Sequence, residues 1–177
     1  SLIERRPKTL ACLFSYLQKK DLWPYHRRYH LKLLGLDPDK LKREAPKELW
    51  NSRPSDEFTL SEFSYEGKVP PYKDQLFFRP GEVRLRLRFE KTNQRIVVKA
   101  KGIPADGVYP VLYVKINGRI VDEHYLHGKA WKNYYTDLRL RAGSHDLGLE
   151  YVNDRGSGRI GREDRNVAIQ KVSLYEY

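Results

Sequence analysis

The chain predicts a mainly β protein, a jelly-roll sandwich of antiparallel strands behind an α-helical N-terminal extension. Three observations predict it. From Gly81 the apolar residues Val83, Leu85, Leu87 and Phe89 alternate with Arg84, Arg86 and Arg88, the pattern of a strand with one face buried and one charged. Further short apolar runs follow at 95–99, 111–116, 120–124, 134–140, 146–152 and 167–175. Between Ile116 and Arg119 stands Asn117-Gly118, a pair that accepts positive φ at both centres of a type I′ hairpin turn.

The helical extension comes first in the chain. After Pro7, Leu10, Leu13, Phe14 and Leu17 recur at helical spacing, and Lys19-Lys20 sit where a helix C-terminus favours cations. The spacing predicts a second helix over 24–34, with Tyr25, Tyr29 and Leu33 near one stripe and Gly35 as its stop. A third short piece, 39–50, is broken by Pro46. Residues 1–57 are thus expected to form a helical arm, and 58–177 the sandwich. Between Asn51 and Pro80 the chain carries Phe58, Leu60, Phe63, Tyr65, Tyr72, Phe77 and Phe78, more rings than a solvated linker holds, so this segment is expected to lie extended over a core. Ala142-Gly143 supplies a second turn.

Composition narrows the function. The 177 residues suit one domain and an appendage, and no apolar run reaches the ~18 residues that a membrane helix needs. The formal net charge of +11 is spread along the chain, +5 over residues 1–57 and +6 over the rest, so no basic tail marks a nucleic-acid arm. Cys12 is the sole cysteine and cannot close an internal disulfide; it reads as a buried helical thiol. No nucleophile motif, phosphate loop or dinucleotide fingerprint is present, and Asp122, Glu123 and Asp137 show no spacing that selects a general acid and its partner, which points away from an enzyme. His26 and His30 share one helix face without a third metal ligand, and His124 and His127 lack a catalytic partner. The alternating Arg84, Arg86 and Arg88 read as a solvated or docking face, and a nucleic-acid partner is not expected.

The most informative stretch is Asn153-Asp154, the loop Arg155 to Glu163 with Gly156, Gly158 and Gly161, then Asp164-Arg165-Asn166. It returns two carboxylates to one end of a β-domain, a way to hold a hard cation with open coordination sites. A second reading stays open: Asp154 and Asp164 cap turns or pair with Arg155, Arg159 and Arg162, three positive charges in the same loop that also suit docking to an anionic partner.

The phrases Tyr113-Val114-Lys115-Ile116-Asn117-Gly118-Arg119, Trp131 with Tyr134-Tyr135, Leu140-Arg141-Ala142-Gly143-Ser144-His145-Asp146, Val152-Asn153-Asp154 and Glu163-Asp164-Arg165-Asn166 resemble the calcium-dependent xylan-binding modules of carbohydrate-binding families 36 and 60. The likeness runs from about Glu82 to Tyr177. It implies a non-catalytic module that recognises glycan or polysaccharide hydroxyls through a loop-bound calcium, in an extracellular or periplasmic setting. By position, Asp154 and Asp164 would be the side-chain ligands, aided by loop carbonyls. Asn153, Glu163, Arg165 and Asn166 would touch the ligand or shape the loop, Arg165 and Asn166 chiefly the latter. The strand that follows reads Val167-Ala168-Ile169-Gln170 where the family tends to another acidic residue.

The alternative is an accessory subunit that docks the sandwich onto a larger protein assembly. Its motivation is the aromatic and basic arm, with Trp23, Tyr25, Arg27, Arg28, Tyr29 and Trp50.

Overall fold

Two five-stranded antiparallel sheets stack face to face in the computed structural model, which describes residues 52–66, 71, 76–77, 80–105, 109–153 and 164–177. The predicted helices, with Cys12, His26, His30, Trp23, Tyr25, Arg27 and Arg28, lie outside the described residues, and so do Asp154, Glu163 and the three loop arginines. The end of the expected 1–57 arm is described and is not helical, because Asp56–Phe58 pair with Val172–Leu174 as a strand of the sandwich.

In chain order the strands are β1 (Asp56–Phe58), β2 (Ser64–Glu66), β3 (Leu76–Phe77), β4 (Gly81–Phe89), β5 (Asn93–Ile103), β6 (Val111–Ile116), β7 (Arg119–Tyr125), β8 (Lys132–Arg139), β9 (Gly143–Tyr151) and β10 (Asn166–Glu176). Sheet I has the order β1-β10-β5-β8, with β3 also pairing β10. Sheet II has the order β2-β4-β9-β6-β7. The described residues contain no α-helix, only a 3₁₀ turn at Leu60–Glu62 whose Glu62 carboxylate accepts the Thr59 N–H at 2.7 Å.

Period two builds both sheets. On β4, Val83, Leu87 and Phe89 are buried while Arg86 and Arg88 are exposed, as the alternation requires. On β5 the inward residues are Ile96, Val98 and Ala100, and they meet Leu112 and Val114 of β6 and Leu147, Leu149 and Tyr151 of β9 in one core. Strand β10 contributes Val167 and Ile169, then Val172 and Leu174, an odd step that would turn one pair outward in a regular strand. A register shift between Ile169 and Lys171 leaves Gln170 as a bulged, exposed residue and restores the phase.

The segment after Asn51 is laid on the core where described: Leu60 and Phe63 are buried in it, and Phe58 and Tyr65 pack against it. The hairpin over Asn117-Gly118 forms with φ of 50° and 77°, joining β6 to β7.

Three of the chain's crossings between sheets share one end of the sandwich. Residues 104–110 carry the chain from β5 to β6, 126–131 from β7 to β8, and 152–165 from β9 to β10, each leaving one sheet for the other. The first two are locked together. Gly102 donates its N–H to the Gly128 carbonyl at 3.1 Å, Leu126 donates to the Pro110 carbonyl at 3.0 Å, and a Cβ on Gly102 would meet the Leu126 carbonyl oxygen at 2.2 Å.

Candidate functional site

Asn153 and Arg165 mark the two ends of the Gly-rich loop, and both are buried. Their side chains serve backbone. The Asn153 Oδ1 accepts the Val111 N–H at 2.6 Å, and its Nδ2 donates to the Tyr109 carbonyl at 3.1 Å. Arg165 donates Nη1 to the Asn153 carbonyl at 2.5 Å and Nη2 to the Ala105 carbonyl at 3.2 Å, while its own carbonyl accepts the Tyr151 hydroxyl at 2.5 Å. A guanidinium held this way spends its forked donors on carbonyl oxygens that would otherwise be orphaned in an apolar surrounding. The result is a clamp that ties the start of the loop to its end and both to the β5–β6 crossing.

Asp164 stands next to that clamp. It is half-buried, its Oδ1 is shielded from solvent, and that oxygen has no hydrogen-bond partner. Its backbone carbonyl accepts the Asn166 Nδ2 at 3.4 Å. A shielded carboxylate oxygen without a donor is costly, and a cation is the species that offsets such a cost. Among the described residues no group of three His, Cys, Asp or Glu side chains could hold a metal ion. A calcium there would draw on Asp164, on Asp154 outside the described residues, and on backbone carbonyls, consistent with an ion that takes six to eight oxygens of mixed origin, at about 2.3–2.6 Å.

The structure separates the remaining candidates. Asp137 takes a bidentate pair from Arg95, at 2.6 and 2.9 Å. Asp122 accepts the Thr136 hydroxyl at 3.1 Å and the Glu123 N–H at 2.8 Å. Asp122 and Asp137 are thereby committed to structural bonds. His124 is buried with its Nε2 2.9 Å from the Thr136 Oγ1, a bridge between the edge strands β7 and β8 that no sequence spacing announces because Thr136 lies on the other sheet. Arg84 pairs with Glu82 and Glu66, Arg86 with Asp146 and Arg88 with Glu90, so the arginine row of β4 is compensated along its length. A cleft of about 240 Å³ beside it is lined by Glu82, Arg84, Asn117, Gly118, Asp146 and Gly148.

Sequence reasoning missed the partners of the loop: the Ala105 and Tyr109 carbonyls, the Val111 N–H and the Tyr151 hydroxyl. The loop 154–164 itself contains no Trp or Tyr. The 126–131 crossing supplies one at the same end, Trp131, with the Lys101 ammonium 4.7 Å above its ring. No helix among the described residues is long and apolar enough to cross a membrane.

Residues 95–176, a little under half of the chain, match the family described as CBM60, "Ca-dependent carbohydrate-binding module xylan-binding". The match spans β5 to β10 and includes the clamp and Asp164, so the resemblance read from the sequence holds over that stretch. Solved structures share the fold. A carbohydrate-binding module of family 36 in complex with calcium and xylotriose superposes with a TM-score of 0.55 at 12% identity, covering 67% of this chain and 98% of that one. A family 36 domain of a multidomain xylanase from the hindgut metagenome of Trinervitermes trinervoides gives 0.54 at 12% identity, covering 69% and 98%. A family GH115 4-O-methyl-α-glucuronidase with specificity for decorated arabinogalactans gives 0.51 at 12% identity, covering 76% of this chain and 19% of that one. No curated protein matches by sequence.

Proposed function

We propose that the chain is a non-catalytic carbohydrate-binding module that recognises vicinal hydroxyls of a xylan-like polysaccharide through a calcium ion held at the loop end of a jelly-roll sandwich. The observation that carries it is the shielded, partnerless Asp164 Oδ1, fixed beside the Arg165 clamp within the stretch that matches the calcium-dependent family. When bound, calcium supplies coordination sites that sugar oxygens fill in place of water.

The residues of the chain do the rest. Asn153 and Arg165 hold the loop's two ends in register, which lowers the ordering cost of a site carried on a long loop. Asn166 fixes the backbone of Asp164 through its carbonyl. Asp154, Glu163 and Asp164 supply the loop's carboxylates, and Arg155, Arg159 and Arg162 balance their charge. Asp122 and Asp137 are engaged in structural bonds, to Thr136 and the Glu123 N–H and to Arg95. A polysaccharide ligand is met in the extracellular or periplasmic space.

Calorimetric titration with xylan, in calcium and then in chelator, tests the reading. Binding is expected in calcium and not in chelator, and Asp164→Ala is expected to weaken it by about 10- to 100-fold, the range for disrupting a metal site's ligand shell. Equal affinity in both buffers, or an unaffected Asp164→Ala variant, sinks the metal mechanism.

A further inference from the structure

Alternation along β5 turns Arg95, Val97, Lys99 and Lys101 to the outer face of sheet I, opposite the core residues Ile96, Val98 and Ala100. Strand pairing sets their neighbours. Lys99 lies between Lys171 and Asn133, Val97 between Ser173 and Tyr135, and Lys101 beside Ala168. Val97, Ala168 and Ser173 are buried and low, so the centre of this face is a shallow floor with longer side chains around it.

Charge on the face is sorted. Lys171 is paired with Glu57, and Arg95 with Asp137, which also seats its guanidinium 5.1 Å from the Tyr135 ring. Lys99 and Lys101 form no ion pair with a described carboxylate. Two residues apart on one strand face, their Cα atoms are about 6.6 Å from each other, so two like charges share one spot. Lys101 is held there by the Trp131 ring, an attraction that fixes the ammonium without neutralising it.

We propose that this face is an additional subsite for an acidic polysaccharide, in which Lys99 and Lys101 hold the carboxylate of a uronic-acid unit on the chain. The inference rests on the polysaccharide reading and names its substrate class. Position connects the two sites. Lys101 pairs with Ala168, four residues along from Asp164, which is about 13 Å of extended chain, so a ligand anchored at the loop end runs over sheet I at Lys101. Charge complementarity selects an anion. The Lys99–Lys101 pair, with Glu57 and Asp137 on the strands to either side, fits an isolated carboxylate on a sugar chain. The continuous phosphates of a nucleic acid call for an unbroken basic stripe.

The test is titration of the full chain, in calcium, with glucuronic-acid-substituted xylan, the same xylan after reduction of its carboxyl groups, and single-stranded DNA. The acidic xylan is expected to bind about ten-fold tighter than the reduced one at low salt, the size that two partly exposed ion pairs give. That difference should vanish near 1 M salt, where the screening length is about 3 Å. The Lys99→Glu/Lys101→Glu double variant should lose the preference and keep the affinity for reduced xylan, and Lys99→Ala/Lys101→Ala should do the same with less perturbation of folding. Equal affinity for acidic and reduced xylan, or a preference that survives both variants, overturns the proposal. DNA binding tighter than acidic xylan and lost in the same variants overturns it in favour of nucleic acid. Failure of the calcium reading looks different: the preference for acidic xylan persists in chelator.

Discussion

The two outer faces of the sandwich follow the same pleat and handle charge in opposite ways. On sheet II the charges form a closed relay across β2, β4, β6 and β9. Arg84 bridges Glu66 and Glu82 at 2.8 and 2.7 Å, and Lys115 bridges Glu82 and Glu150, both at 2.7 Å. On sheet I, Glu57 and Asp137 pair with Lys171 and Arg95, while Lys99 and Lys101 pair with no described carboxylate. A net charge of +11 therefore does not describe a uniformly basic surface. The difference teaches that cation count matters less than which cations a neighbouring strand has already matched.

Breaking the relay at its buried centre should have the largest effect. Glu82→Ala strips one carboxylate from both Arg84 and Lys115, and is expected to cost about 2–4 kcal/mol, bounded because Lys115 keeps Glu150. Urea unfolding would show this as a lower midpoint at unchanged slope; a loss under about 1 kcal/mol would mean the relay is ornamental to stability.

Acid probes the same centre more gently. Burial raises the Glu82 carboxyl pKa, but hydrogen bonds from Arg84 and Lys115 outweigh it, so the group sits below the usual carboxylate range. A carboxylate depressed in the folded state contributes its full stability above its unfolded value, about 4.3, and loses it as pH falls through the lower folded value. As pH falls from about 6 to 3 the native chain should lose more stability than Glu82→Gln, which has no carboxyl to titrate. Parallel curves would remove Glu82 from the account of acid sensitivity.

The smallest effect belongs to the other face. Lys99→Ala removes a side chain with no ion pair to a described carboxylate and should change stability by no more than about 0.5 kcal/mol, in either direction. A thermal melt that fell well beyond this would reveal a stabilising partner for Lys99 and weaken the case that its charge is free for a ligand.

Much of this contrast is legible in the sequence, and some is not. The alternation of Val83 to Phe89 with Arg84 to Arg88 gives β4 and its faces directly, because a strand's period is two. The Asn117-Gly118 hairpin is equally local, since a type I′ turn needs only residues that tolerate positive φ. The β10 bulge is hidden: Gln170 and Lys171 look like an ordinary polar pair, and only pairing with β5 shows that the phase has shifted. The loop end is half legible. Asp164 is marked by its place after a Gly-rich loop, but the bonds that fix its surroundings join Asn153 to Tyr109 and Val111 and Arg165 to Ala105, which are forty to sixty residues apart in sequence. Trp131 reads as part of a strand phrase, and its nearness to Lys101 exists only once β8 lies against β5.

The amino-acid sequence by itself determined the mainly β character, most strand positions, the main hairpin, the excess of positive charge and the loop that carries the acidic residues. All of these depend on neighbours within a few residues, through backbone sterics and side-chain period. Only the tertiary structure decided which arginines and lysines are matched, which crossings share an end, and that Arg165 points inward to clamp a loop. Those outcomes follow from strand order and register, because pairing and packing bring together groups that chain distance keeps apart.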